Sequence, residues 1–157
     1  MEKFQITKQG FEKLKAELNH LKNEERPKII QAIATARELG DLRENAEYHS
    51  AKDKQGFIEA QINDFEDKIA RSEVIDISTL SGNKIKFGAT VEVEDLNSGK
   101  KFTYKIVSEY EANIDKGLIS STSPVARALM NKEIGDEVEI KIPSGIANYE
   151  IMSVKFI

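Results

Sequence analysis

The residues best suited to chemistry are three carboxylates, Asp41, Glu44 and Glu47, in the stretch Gly40-Asp41-Leu42-Arg43-Glu44-Asn45-Ala46-Glu47-Tyr48. Hard oxygen donors of this kind suit Mg²⁺. Asp41 and Glu44 cannot complete its near-octahedral shell, however, and only Glu47 stands nearby as a further ligand. Such a half-site becomes useful when it is carried to a second active centre that already holds a metal, where a shared ion and an activated water serve phosphodiester chemistry. The same Asp-x-x-Glu spacing is also a capping box, with Asp41 capping a helix and Glu44 reaching back to it. Taken alone, capping is the commoner use of the pattern. Spacing leaves both uses open.

The rest of the chain offers little competing chemistry. There is no cysteine, which removes disulfides, thiolate nucleophiles and cysteine metal sites. The two histidines, His20 and His49, fall on different segments, so joint ligation of a metal is not expected. Ser120, Ser121 and Ser123 have no histidine close in sequence to activate them. A net charge of -4 argues against a protein that holds nucleic acid by blanket phosphate neutralisation. Arg37, Arg43, Lys52 and Lys54 nevertheless lie near the acidic stretch, either as a local basic patch or as a solvated helix face. Charged residues make up 32% of the chain, with no twenty-residue apolar run and no charged-then-apolar leader. A soluble, cytoplasmic protein is expected.

The elements that position the acidic stretch are two long helical patterns on either side of it. Thr7 reads as an N-cap before Phe11, Leu14, Leu18 and Leu21 at alternating steps of three and four. The stripe weakens at Glu24-Glu25-Arg26-Pro27, where Pro27 should kink or restart the helix, and resumes with Ile30, Ile33, Ala36 and Leu39 before Gly40. The second arm places Ala51, Gln55, Ile58, Ile62, Phe65 and Ile69 on a heptad seam. Folded back at Asp41–Leu42, the arms bring Leu21 opposite Ile62, Leu18 opposite Phe65 and Leu14 opposite Ile69. Ile33 opposite Ala51 and Ala36 opposite Tyr48 are displaced by one position. The pattern predicts an antiparallel coiled-coil hairpin with arms of about 45 Å and the carboxylates at its tip.

Beyond Ser72 the texture changes. Val74–Ile77 reads as a short strand and Ser81-Gly82-Asn83 as a break. Alternating runs at Ala89–Glu94 and Phe102–Val107 flank the turn Asn97-Ser98-Gly99 and predict a hairpin. Ser123-Pro124 opens a short helix running to Met130, Asn131 is placed to close it in a left-handed conformation, and two further alternating runs follow, Glu137–Ile142 and Asn148–Phe156. The expected class is α+β: residues 1–78 a helical hairpin domain, residues 79–157 a small antiparallel β-sheet domain with one short helix.

The Gly40–Tyr48 stretch, with Ala51-Lys52 and Gln55 after it, resembles the tip of the bacterial GreA/GreB transcript-cleavage factors. Phe87-Gly88-Ala89-Thr90-Val91, Ile119-Ser120, Ser123-Pro124-Val125-Ala126-Arg127-Ala128-Leu129 and Gly135-Asp136 resemble their C-terminal half, so the likeness spans almost the whole chain. One departure is Asn131, where such factors often carry glycine. The resemblance implies an FKBP-like C-terminal domain that binds RNA polymerase near its secondary channel, and a hairpin that enters the channel. It implies that Asp41 and Glu44 help to hold a second Mg²⁺ and position water in a backtracked elongation complex, so that the RNA 3′ end is cut and elongation resumes. The cleaving active site would be the polymerase's. This chain would then be no enzyme by itself, would need no cofactor of its own, and would act as a monomer. Arg37, Arg43, Lys52 and Lys54 would guide the nascent RNA 3′ segment, and Tyr48 would support tip packing or contacts. Two other functions share this architecture: a channel-occluding inhibitor without cleavage activity, and an FKBP-like prolyl isomerase or chaperone.

Overall fold

The computed structural model describes residues 2–157. The chain forms two compact units, one of Phe11–Ser72 and one that joins Glu2–Gly10 to Glu73–Ile157. The sequence boundary expected between 78 and 79 thus lies a few residues past the crossing at Ser72–Glu73. Glu2–Gly10, expected in the hairpin domain, pack with the C-terminal unit.

The hairpin unit contains most of α1 (Lys8–His20), with α2 (Arg26–Arg37) and α3 (Ala46–Arg71). Thr7 caps α1, its Oγ1 accepting from the Gly10 amide at 3.1 Å. Between α1 and α2 the chain makes a single π turn, Leu21–Glu25, in which the Arg26 amide reaches back five residues to the Leu21 carbonyl. That turn has a physical cause. A plain α-helix would carry the seam of Leu14, Leu18 and Leu21 onward to Lys28, Ala32 and Thr35. One extra residue in the turn brings Ile29, Ile33 and Ala36 inward instead, and all three are buried. It also accounts for the one-position displacement of facing pairs, and it leaves Pro27 in the first turn of α2, where a missing N–H costs nothing.

The hairpin core is Leu21, Ile29, Ile33, Ile58 and Ile62, flanked by Leu18, Tyr48, Ala51 and Phe65. Two members of the expected stripe are therefore displaced. Ile30 is 51% exposed because the π turn hands its place to Ile29, and Leu39 is 63% exposed because it lies beyond the end of α2. Ion pairs join the arms outside the seam, Lys22 to Glu66 at 2.8 Å and Arg26 to Glu59 at 2.7 Å.

The second unit is built on a five-stranded sheet ordered β5-β4-β3-β7-β6, comprising β3 (Thr90–Asp95), β4 (Lys101–Val107), β5 (Leu118–Ser120), β6 (Glu137–Ile142) and β7 (Gly145–Lys155). Four of the strands are antiparallel, and β5 runs parallel to β4. The sheet is therefore mixed and not purely antiparallel as expected. The reason is the connection after β4, which turns through Ile114–Lys116 and Gly117 (φ 75°) and returns β5 in β4's own direction. The inward-facing residues include Val91, Val93, Ile106 and Ile151, and α4 (Pro124–Leu129) covers them with Ala126 and Leu129. Ser123 caps α4, its Oγ accepting from the Ala126 amide at 3.2 Å, and Asn131 takes a left-handed φ of 65°.

Two further strands, β1 (Phe4–Thr7) and β2 (Ser72–Ile75), pair in a small sheet of their own. The N-terminal segment is fastened to this unit by Glu111, whose carboxylate accepts from the Thr7 amide (3.2 Å), the Thr7 hydroxyl, the Ser108 amide (3.1 Å) and the Ser108 hydroxyl (2.8 Å). Among the described residues, no helix is long and apolar enough to cross a membrane.

Candidate functional site at the hairpin apex

The apex is the turn between α2 and α3. After Arg37 the chain leaves the helix through backbone bonds from Glu38 to Thr35 (3.2 Å) and Leu39 to Ala36 (3.1 Å), then reverses at Gly40. Gly40 has a φ of 117°, a region closed to residues with a Cβ. Asp41 Oδ1 accepts from the Arg43 amide at 2.9 Å and closes a short Asx turn. Helix α3 then begins at Ala46, capped by Asn45, whose Oδ1 accepts from the Tyr48 amide at 3.0 Å. Its Nδ2 donates to the Ala36 carbonyl at the end of α2, 2.5 Å away.

The capping box expected of Asp41 and Glu44 is therefore not formed. Asn45, in extended backbone at φ −85° and ψ 94°, has the geometry of a cap, whereas the Asx turn holds Asp41 four residues short of the helix. The carboxylates are left for other use. Asp41, Glu44 and Glu47 line one open depression of about 420 Å³ together with Leu39, Asn45 and Ala46. Asp41 and Glu44 are exposed, and Glu44 makes no hydrogen bond or ion pair among the described residues. Also among the described residues, no group of three or more histidine, aspartate or glutamate side chains is arranged to hold a metal ion. The donor set fits a hard cation in part only, as oxygen ligands that something else must complete.

The four basic residues fall in different settings. The Arg37 guanidinium lies over the Tyr48 ring, 5.7 Å from its centroid. Arg43 sits in the turn, its carbonyl 3.2 Å from the His49 imidazole Nε2. Lys52 Nζ donates to Gln55 at 3.2 Å. Lys54 is exposed, and at two positions from Lys52 it points about 200° away around α3. His20, on the first arm, is braced by Glu24 and Glu25; its hydrogen bond to Glu24 holds its pKa above the ordinary histidine value.

Residues 4–74 match the model of the transcription elongation factor N-terminal domain, and residues 80–156 that of the GreA/GreB transcription elongation factor C-terminal domain. The chain belongs to the GreA/GreB family of transcription elongation factors. It is 53% identical over the full length of both chains to transcription elongation factor GreA of Thioalkalivibrio sulfidiphilus, and 54% identical to that of Acidiphilium cryptum over 99% of each. A crystal structure of GreA factor homolog 1 from Thermus thermophilus aligns with 98% of this chain and 99% of its own, at 28% identity and a TM-score of 0.45.

Within this GreA/GreB chain, two apex residues escape a reading by motif. Asn45 could have been found as a cap, since asparagine directly before a helical pattern is a strong start signal, but Asp-x-x-Glu upstream competes for the same role. His49 has no sequence signal of its own. Its contact with the Arg43 carbonyl exists only because the turn folds back on α3.

Proposed function

We propose that this factor binds RNA polymerase through its C-terminal unit and inserts the hairpin apex into the secondary channel, stimulating cleavage of the RNA 3′ end in backtracked, arrested complexes. The observation that carries this reading is the pair of carboxylates, Asp41 and Glu44, exposed on a turn whose helix-capping work is done by Asn45. Family membership supports the polymerase as the destination.

In this reading Asp41 and Glu44 offer oxygen ligands to a Mg²⁺ shared with the polymerase active site. Such an ion would polarise the phosphodiester and lower the pKa of a bound water. The chain's own residues bind, orient and present. Asp41 keeps one oxygen in its turn and leaves the other for the ion, while Glu44 and Glu47 border the same depression. Arg43 and Lys52 would guide the RNA 3′ segment, Lys54 would meet it only from the opposite face of α3, and Arg37 is engaged with Tyr48. The bond-breaking centre belongs to the polymerase, so the factor is not an enzyme by itself, and it acts as a monomer.

The test compares wild type with Asp41→Asn/Glu44→Gln on purified backtracked complexes. The double variant should lose stimulated cleavage by at least about a hundredfold, the scale on which catalytic electrostatic groups act, while competing for polymerase as well as wild type. Full cleavage by the double variant would refute the mechanism. Slower synthesis without transcript shortening by the wild-type factor would identify an occluding factor.

A further inference from the structure

We propose that Asn45 and His49 are positioning residues for the cleavage reaction, tying the Asp41–Glu44 turn to both arms of the hairpin; this rests on the function proposed above. The apex turn leaves one helix and enters another, and its geometry is only as definite as its attachments. Asn45 spends both ends of its side chain on them. Its carbonyl oxygen accepts from Tyr48 N in α3, and its amide nitrogen donates to Ala36 O in α2. Serine, threonine or aspartate would cap α3 equally well. A short primary amide is required only if the same side chain must also donate across to the other arm.

His49 adds a second tie one turn further on, with its ring nitrogen on the Arg43 carbonyl at 3.2 Å, and its own amide bonds the Asn45 carbonyl at 3.1 Å. Arg37 over Tyr48 adds a second link between the arms. Glu44 therefore has both neighbours anchored, Arg43 through its carbonyl and Asn45 through its side chain, while its own carboxylate remains free. Asp41 is fixed to the same turn through Arg43 N. This is the arrangement expected where carboxylates must meet a metal and a water within a fraction of an ångström.

The experiment uses the full chain with backtracked RNA polymerase complexes, in single-turnover cleavage with titrations of factor and of Mg²⁺. Asn45→Ser keeps an acceptor for Tyr48 N and removes the donor to Ala36 O. Its maximal cleavage rate should fall about ten- to a hundredfold, the usual consequence of displacing reacting groups by about an ångström. The Mg²⁺ concentration for half-maximal rate should rise, and the factor concentration for half-maximal effect should stay at the wild-type value. In the free chain, hydrogen exchange should quicken at the Arg43 amide and remain slow at Tyr48.

A wild-type maximal rate, a loss cured by saturating factor, or unchanged exchange at Arg43 would each overturn the inference. If Tyr48 exchange shows that the helix start has frayed, His49→Ala against His49→Gln carries the same test. Alanine should lower the maximal rate, and glutamine, which can still donate to the Arg43 carbonyl, should restore it. Equal rates for the two would overturn it. Asp41→Asn/Glu44→Gln measured alongside separates the two levels. Full cleavage by that pair refutes the proposed function. Its inactivity beside a fully active Asn45→Ser refutes the positioning role alone.

Discussion

If the π turn at Leu21–Glu25 exists to shift the seam by one position, deleting one exposed residue within it, Asn23, should convert the turn to ordinary α-helix without disturbing the core. Ile29, Ile33 and Ala36 would then follow Leu14, Leu18 and Leu21 at regular helical steps. Beyond an exposed side-chain hydrogen bond from Asn23 to Asn19, the deletion carries one larger penalty. Pro27 passes from the first turn of α2 into the interior of a continuous helix, where it removes a hydrogen bond and its ring meets the carbonyl four residues back. That costs about 3 kcal/mol.

The two changes should therefore be non-additive. In the full-length chain, Pro27→Ala alone should change stability by less than about 1 kcal/mol, because a first-turn proline is already well placed. The Asn23 deletion alone should cost about 3 kcal/mol, and adding Pro27→Ala should recover most of it, a coupling of about 2–3 kcal/mol. Urea titration followed by helical ellipticity measures all four chains. If instead the deletion rotates the seam and exposes Ile29 and Ile33, the loss would be about 3–6 kcal/mol at about 1.5–3 for each side chain. Pro27→Ala would not rescue it. A persistent loss of that kind would refute the account of the turn.

Two further expectations concern the same unit. Ile62 is 1% exposed at the centre of the seam, so Ile62→Ala should destabilise the hairpin by about 2–5 kcal/mol in the same titration; a loss below about 1 kcal/mol would show that the arms do not rely on this core. The Arg26 guanidinium, by its hydrogen bonds to Glu59, holds that carboxyl below the ordinary glutamate value. A depressed folded-state pKa contributes stability above the unfolded value and loses it as pH falls through the folded one. Glu59→Gln should therefore flatten the acid limb of the stability profile at low salt, and an unchanged limb would show the pair to be energetically silent.

What could be read in advance follows the length of the signal. The seam of α3 repeats over six positions, and Ile58 and Ile62 are buried where that repeat places them. Ser123 before Pro124 marks the start of α4 because a cap and a first-turn proline reinforce each other. By contrast β1 and β5 are only four and three residues long, too short for period-two alternation to register, and the strand read at Val74–Ile77 runs instead over Ser72–Ile75 as β2, paired with β1. The slip between facing arms is visible in the residue numbers. Its cause is not, because a proline and a one-residue phase shift occupy the same window and only backbone geometry separates them. At the apex, composition identifies the acidic stretch, but which residue caps the helix depends on where the turn ends.

The identity of the capping residue bears on function more than on fold. A carboxylate that caps a helix has an oxygen committed to backbone amides and is held by the helix end. Had Asp41 and Glu44 formed the capping box their spacing suggests, stability alone would have explained them. With Asn45 performing the cap and the bridge to α2, Glu44 contributes nothing visible to the fold, and Asp41 contributes a single turn bond. Both are exposed and border one depression, and neither forms an ion pair among the described residues. Carboxylates so placed are open to an external cation, which is the use that the proposed function gives them.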